Sequence, residues 1–185
     1  MATQGFNNNA SQVGASWTNP SNAATVNATN ASNTANPPVG TLTLTDYGFT
    51  IPAGVIDGIE CEVTAAQNAG LAEPDYSLRL QLTKDGAAGV GTTTDTSLNG
   101  TPLQAFLVGG ATSLFATTWT PAEVNASTFG CIVQYQGDAG NVNDLIVDCV
   151  RIKIYYTATG GVTGVSTRVL GIRRPSLNVP STGRR

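Results

Sequence analysis

The side chains able to carry chemistry here are carboxylates, amides, thiols and arginines, because the sequence contains no histidine. That absence removes Ser-His-Asp and Cys-His catalysis, histidine-ligated metals and the commonest general base together. Facing carboxylates could still serve glycoside hydrolysis. Three pairs have suitable spacing: Glu60 with Glu62 on one strand face, Glu73 with Asp75 around Pro74, and Asp144 with Asp148 at the start of the last apolar segment. Strand-face solvation explains the first pair and loop solvation the second, so no catalytic residue is assigned. Asp138, Asn141, Asn143 and Asp144 form the best oxygen-ligand cluster for calcium. Their spacing matches no EF-hand loop, and Asn/Asp/Gly turns are commonplace. No metal or cofactor is assigned, and the chain is read as a non-enzyme.

The three cysteines, Cys61, Cys131 and Cys149, each fall inside a candidate strand, far apart in sequence. They read as reduced, buried thiols acting as small hydrophobes, with a bridge between one pair left open. The glycine-rich run from Gly86 to Gly91 lacks the Gly-Lys-Ser/Thr of a phosphate-binding loop and reads as a hairpin loop.

Charge is divided along the chain. Residues 1–157 hold all twelve acids and four bases (Arg79, Lys84, Arg151, Lys153), giving 4 − 12 = −8. Residues 158–185 hold Arg168, Arg173, Arg174, Arg184 and Arg185 and no acid, giving +5, and the sum is the net −3. A basic arm on an acidic body suits docking onto an acidic partner, a neighbouring subunit included. Five arginines without interleaved aromatics make a poor nucleic-acid site, so nucleic acid is disfavoured as a partner.

These groups must be positioned by strands. Only 11% of residues are charged, against about a quarter in ordinary domains, and the surface is left to Thr, Ser, Asn, Gln and Gly. Such a composition favours strands and tight turns, and charge depletion is common where area faces another subunit. Residues 1–40 are an Asn/Ala/Ser/Thr-rich segment without apolar periodicity, in which Trp17 is expected to plug a core edge or a neighbour's groove. Residues 41–51 alternate as a strand with a phase slip near Asp46, ended by Pro52. Period-two segments follow at 56–64, 76–83, 128–136 and 145–157, the last with a bulge or edge at Asp148. Lys84-Asp85-Gly86 reads as a hairpin turn, 89–102 as a loop, and 103–108 and 113–119 as short strands. Thr120, Pro121 and Glu123 carry the signature of a capped helical turn.

Seven or eight strands without an amphipathic helix predict an all-β fold: an antiparallel, jelly-roll-like β-sandwich with extended N- and C-terminal arms. The division is 1–40 as N-terminal segment, 41–157 as body and 158–185 as basic arm. The first residues lack the pattern of a signal peptide, and no apolar run has membrane-spanning length, so a soluble protein made in a cytosol is expected. The five Asn-X-Ser/Thr matches carry no weight in a chain so rich in these residues.

An ordered set of motifs then becomes visible. Trp17 to Pro20 is Trp-X-Asn-Pro, Phe49 to Pro52 is Phe-X-Ile-Pro, and Gly58-Ile59 and a Thr-Lys-X-Gly turn at Thr83 to Gly86 follow. Trp119 to Asn125 reads Trp-Thr-Pro-X-Glu-Val-Asn, then come Phe129-Gly130 and a closing strand ending Ile152-Lys-Ile-Tyr-Tyr156-Thr157. Over residues 17–157 this resembles a small β-sandwich domain of tailed-phage virion structural proteins. The family often has an aromatic-Gly pair before the Trp-Thr-Pro segment, where this chain has Phe115-Ala116.

The resemblance implies a non-enzymatic virion component assembled in the host cytoplasm. Its expected partners are the major capsid protein or other virion subunits, with a homo-oligomer, a trimer by family habit. Trp17, Phe49, Pro52, Trp119, Pro121, Phe129 and Tyr156 would be structural anchors, and the five arm arginines the partner contacts. Capsid decoration (cement) is favoured over a neck, tail or fibre-base role. A carbohydrate-binding module displaying Tyr47, Tyr76, Trp119 and Tyr155 is the competing expectation.

Overall fold

Alternation of apolar and polar side chains decides which face of each strand turns inward. In the computed structural model, which describes residues 1–33, 40–68, 77–98, 102–136 and 144–159, this produces two packed antiparallel sheets. The strands are β1 (Ala2–Asn8), β2 (Ser11–Val13), β3 (Ala31–Asn33), β4 (Thr41–Thr45), β5 (Gly54–Asn68), β6 (Ser77–Thr83), β7 (Gly89–Ser97), β8 (Gln104–Gly110), β9 (Gly130–Gln136) and β10 (Asp144–Ala158). A 3₁₀ turn at Pro20–Ala24 and one helical turn, α1 (Pro121–Val124), complete the described elements. One sheet runs β1-β10-β5-β8, with β3 also pairing with β10; the other runs β2-β4-β9-β6-β7. The fold is the expected antiparallel β-sandwich.

The core lies between the inward rows. Val150, Ile152 and Ile154 of β10 sit opposite Val63, Cys61 and Ile59 of β5, and all six are buried. Across the sandwich, Leu42 and Leu44 of β4 face Val133 and Cys131 of β9, which also pair with Leu80 and Leu82 of β6. Burying such side chains contributes about 1.5–3 kcal/mol each before entropy is counted. The bulge expected at Asp148 is present: pairing to β5 steps from Val147 to Cys149. Asp148 is buried there and accepts the Asn27 N–H at 3.2 Å.

Four segments differ from expectation. Strand β4 stops at Thr45, because Asp46 takes a left-handed φ of 61° and breaks the ladder. Tyr47, Phe49 and Ile51 still bury their side chains, while Pro52 is exposed in the connection to β5 and ends no strand. Residues 113–119 are not a strand: Phe115 and Ala116 both have positive φ, 54° and 53°, and curl the chain. Residues 89–97, expected as loop, form β7, whose threonines suit a solvated edge. Residues 1–33 supply three strands through backbone pairing, which requires no apolar side chains.

Candidate functional site

The anchor motifs converge on one corner of the sandwich. Trp119 meets Phe129 edge-on at 5.4 Å between ring centroids, Phe49 meets Phe129 at 6.0 Å, and Tyr47 stacks with Phe49 at 6.2 Å. Thr120 caps α1 as expected: its hydroxyl accepts the Glu123 N–H at 3.2 Å, and Glu123 Oε2 accepts the Thr120 N–H at 2.8 Å. Pro121 occupies the first turn, where no N–H is needed. Lys84 joins the corner from the β6–β7 turn, 2.8 Å from Glu123 Oε1 and 5.1 Å from the Trp119 ring centre. Its hydrogen bond holds the Glu123 carboxyl below the ordinary range.

Two glycines let strands approach closely. A Cβ on Gly130 would lie 1.9 Å from the Leu44 carbonyl oxygen, and one on Gly58 would lie 2.3 Å from the Ala111 backbone. Trp17 is buried as expected and Tyr156 packs partly buried against the core. These residues build the scaffold at this corner.

The outward face of β10 and β5 gathers the remaining chemistry. Arg151 pairs with Glu62, and Lys153 lies 3.5 Å from Glu60. Tyr155 Oη donates to Glu60 Oε2 at 2.5 Å. Phe6 of β1, which sequence reasoning missed, lies 5.5 Å from the Arg151 guanidinium and 5.4 Å from the Lys153 ammonium. Only β1's pairing with β10 brings it there. Both carboxylates are thus neutralised by cations on the neighbouring strand, an arrangement that stabilises a sheet face rather than poises an acid and a base.

Arg79 and Asp95 make a bidentate pair on the other sheet, with nitrogen–oxygen distances of 2.7 and 2.8 Å. All four cations of the body therefore have a carboxylate partner. With twelve acids in that region, 12 − 4 = 8 carboxylates remain outside these pairs.

The thiols are buried. Cys61, Cys131 and Cys149 are free and buried, and burial pushes the thiols of Cys131 and Cys149 up to about 12. Cys131 Sγ lies 3.4 Å from Tyr47 Oη, which donates to the Val150 carbonyl at 3.2 Å. Of the four aromatics considered for sugar stacking, Tyr47 and Trp119 are buried. Tyr155 is half-buried on the charged sheet face, and Tyr76 lies outside the described residues. Glu73, Asp75, Asp138, Asn141, Asn143 and the five arm arginines also lie outside them, and the side chain of Asp144 is not described. Among the described residues no three His, Cys, Asp or Glu side chains gather to hold a metal, and no helix is long and apolar enough to cross a membrane.

The two packed antiparallel sheets define an all-β protein. Comparison with protein-family models and with curated proteins finds no match.

Proposed function

We propose that this is a non-enzymatic virion structural protein of a tailed phage, a capsid decoration (cement) protein whose body docks on the shell. Its basic arm fastens the body to neighbouring subunits. The observation that carries the reading is the state of the body's charges. Every Lys and Arg before residue 158 has a carboxylate partner, and the acids of that region outnumber these cations by eight. The arm supplies +5. It follows the end of β10, an interior strand of its sheet, where the Thr159 N–H is held by the Ala53 carbonyl at 3.0 Å. Burial of Tyr47 and Trp119 takes two of the four aromatics that a carbohydrate-binding role would use away from the surface.

The experiment is binding of the full chain, and of a chain ending at Thr159, to heads assembled from the same genome, with a tagged copy located by negative-stain microscopy. Tagged protein on the head surface is the expected result, with weaker retention of the shortened chain at raised salt. Label on the neck or tail would move the protein to another virion position. Equal retention of both chains would remove the arm as fastener.

A further inference from the structure

The outer face of the β1-β10-β5-β8 sheet carries an ordered pattern across its four strands. Opposite residues of antiparallel strands point to the same side. The pairing therefore places Arg151, Glu62 and Leu107 in one outward row, and Lys153, Glu60 and Gly109 in the next. Phe6 of β1 borders both rows, 5.5 Å from the Arg151 guanidinium and 5.4 Å from the Lys153 ammonium. Read from β1 to β8, the face runs apolar, positive, negative, apolar.

Both borders meet solvent. Leu107 is 63% exposed in the middle of β8, Ala105 and Gly109 are exposed beside it, and Phe6 is half-buried. The charges between the borders are matched within the chain: Arg151 pairs with Glu62, and Lys153 lies 3.5 Å from Glu60. Two cations and two carboxylates cancel, and paired charges cost less to cover than lone ones. Each of the four side chains keeps between 16% and 34% of its surface exposed, so a second set of charges can reach them.

The order of the columns selects the occupant. A partner must present apolar, negative, positive and apolar groups in that sequence. The same face of a second copy, turned about a two-fold axis parallel to the strands, does so at the same level along the strands. The copy's Leu107 then lies over Phe6, and its Glu62 and Glu60 lie over Arg151 and Lys153. A two-fold axis across the strands would set β10 on β10 and bring like charges together, which is unfavourable. Two sheets packed face to face with strand directions within about 30° are an ordinary arrangement.

We infer that the protein associates with itself through this face, as an isologous dimer of two packed β1-β10-β5-β8 sheets. Four strands about 4.8 Å apart and the seven residues of β8 at about 3.3 Å each outline roughly 19 by 23 Å of flat face. That is about 440 Å² per copy, near half of the about 800 Å² per partner in a standard stable complex. The dimer is accordingly reversible and dependent on concentration. It stands apart from the virion role proposed above and is measured without heads.

Sedimentation of the full chain from micromolar to millimolar concentration tests it. The expected result is a monomer–dimer equilibrium that raised salt weakens. Leu107→Lys adds a cation that its own Glu62 welcomes but that meets Arg151 and Lys153 of the copy. It should leave the melting temperature nearly unchanged and raise the dissociation constant at least about tenfold. The double reversal Glu62→Arg with Arg151→Glu keeps the pair within each chain and reverses the order in both copies. This variant should dimerise with itself about as tightly as the parent does. Mixed with fluorescent parent, it should form heterodimers at least about tenfold more weakly, because like charges then meet across the interface. A monomer throughout the range overturns the inference, as does a trimer or larger ring. A mixed dimer as tight as either dimer alone places the contact elsewhere and overturns it too.

Discussion

Asn125 holds Ile51 by both of its backbone polar groups. Its Oδ1 accepts the Ile51 N–H at 2.7 Å, and its Nδ2 donates to the Ile51 carbonyl at 2.9 Å. One side chain thus replaces the strand partner that the 46–53 connection lacks, and it ties the Phe-X-Ile-Pro motif to the end of the Trp-Thr-Pro segment. Replacing Asn125 by Ala removes both bonds and leaves the groups of a buried residue unpaired. A loss of about 2–3 kcal/mol is expected in chemical denaturation. Asn125→Asp keeps the acceptor but not the donor, and should fall between Ala and the parent.

Ala116 stands in a left-handed conformation, with φ of 53°, where the resembling family often has glycine. A Cβ in that region costs about 1–2 kcal/mol, part of which glycine returns in lost chain entropy. Ala116→Gly is therefore expected to stabilise the protein by about 0.5–1 kcal/mol, visible as a higher denaturation midpoint with an unchanged slope.

Gly130 and Gly5 give a matched contrast. A Cβ on Gly130 would lie 1.9 Å from the Leu44 carbonyl oxygen, whereas one on Gly5 meets nothing within 4 Å. Gly130→Ala should cost more than about 2 kcal/mol by forcing β4 and β9 apart, while Gly5→Ala should stay within about 0.5 kcal/mol. Thermal melts of the two variants check the contrast.

Acid should weaken the fold within a defined window. The Lys84 hydrogen bond depresses the Glu123 carboxyl, the Arg79 hydrogen bond depresses that of Asp95, and the Ala88 and Ala87 N–H groups depress that of Asp85. A carboxylate lowered in the folded state contributes stability above its unfolded value and loses it as pH falls through the folded one. The melting temperature should hold between about pH 7 and 5 and drop below about pH 4. Glu123→Gln should lower the neutral-pH melting temperature and make the acid drop shallower.

Strands whose two faces differ in polarity were legible in the sequence. Residues 56–64, 128–136 and 150–157 alternate regularly enough for their faces to be told apart from the residues alone. Short-range signals were legible too: the Thr120–Glu123 capping box, the Lys84-Asp85-Gly86 turn and the bulge at Asp148, whereas the irregularity near Asp46 read as a phase slip and proved to be the end of β4. Edge strands were not. In β7 both faces are polar, so the Thr92 to Thr94 run was the only signal, and β1 to β3 offered none. Residues 113–119 failed in the opposite way. Their apolar residues suggested a strand, while the left-handed turn at Phe115-Ala116 is held from a distant strand, the Phe115 carbonyl accepting the Thr92 N–H.

Local chemistry alone determined that this chain builds β-structure, which side chains enter its core, and that acid and base separate near residue 157. Backbone pairing over long sequence distances decided the rest. It set Phe6 beneath Arg151 and Lys153, matched Glu60 and Glu62 with cations about ninety residues away, and gave Ile51 its partner in Asn125. A strand's own residues specify its faces through the period of two, but its neighbours on either side are specified only when the whole sheet closes around the core.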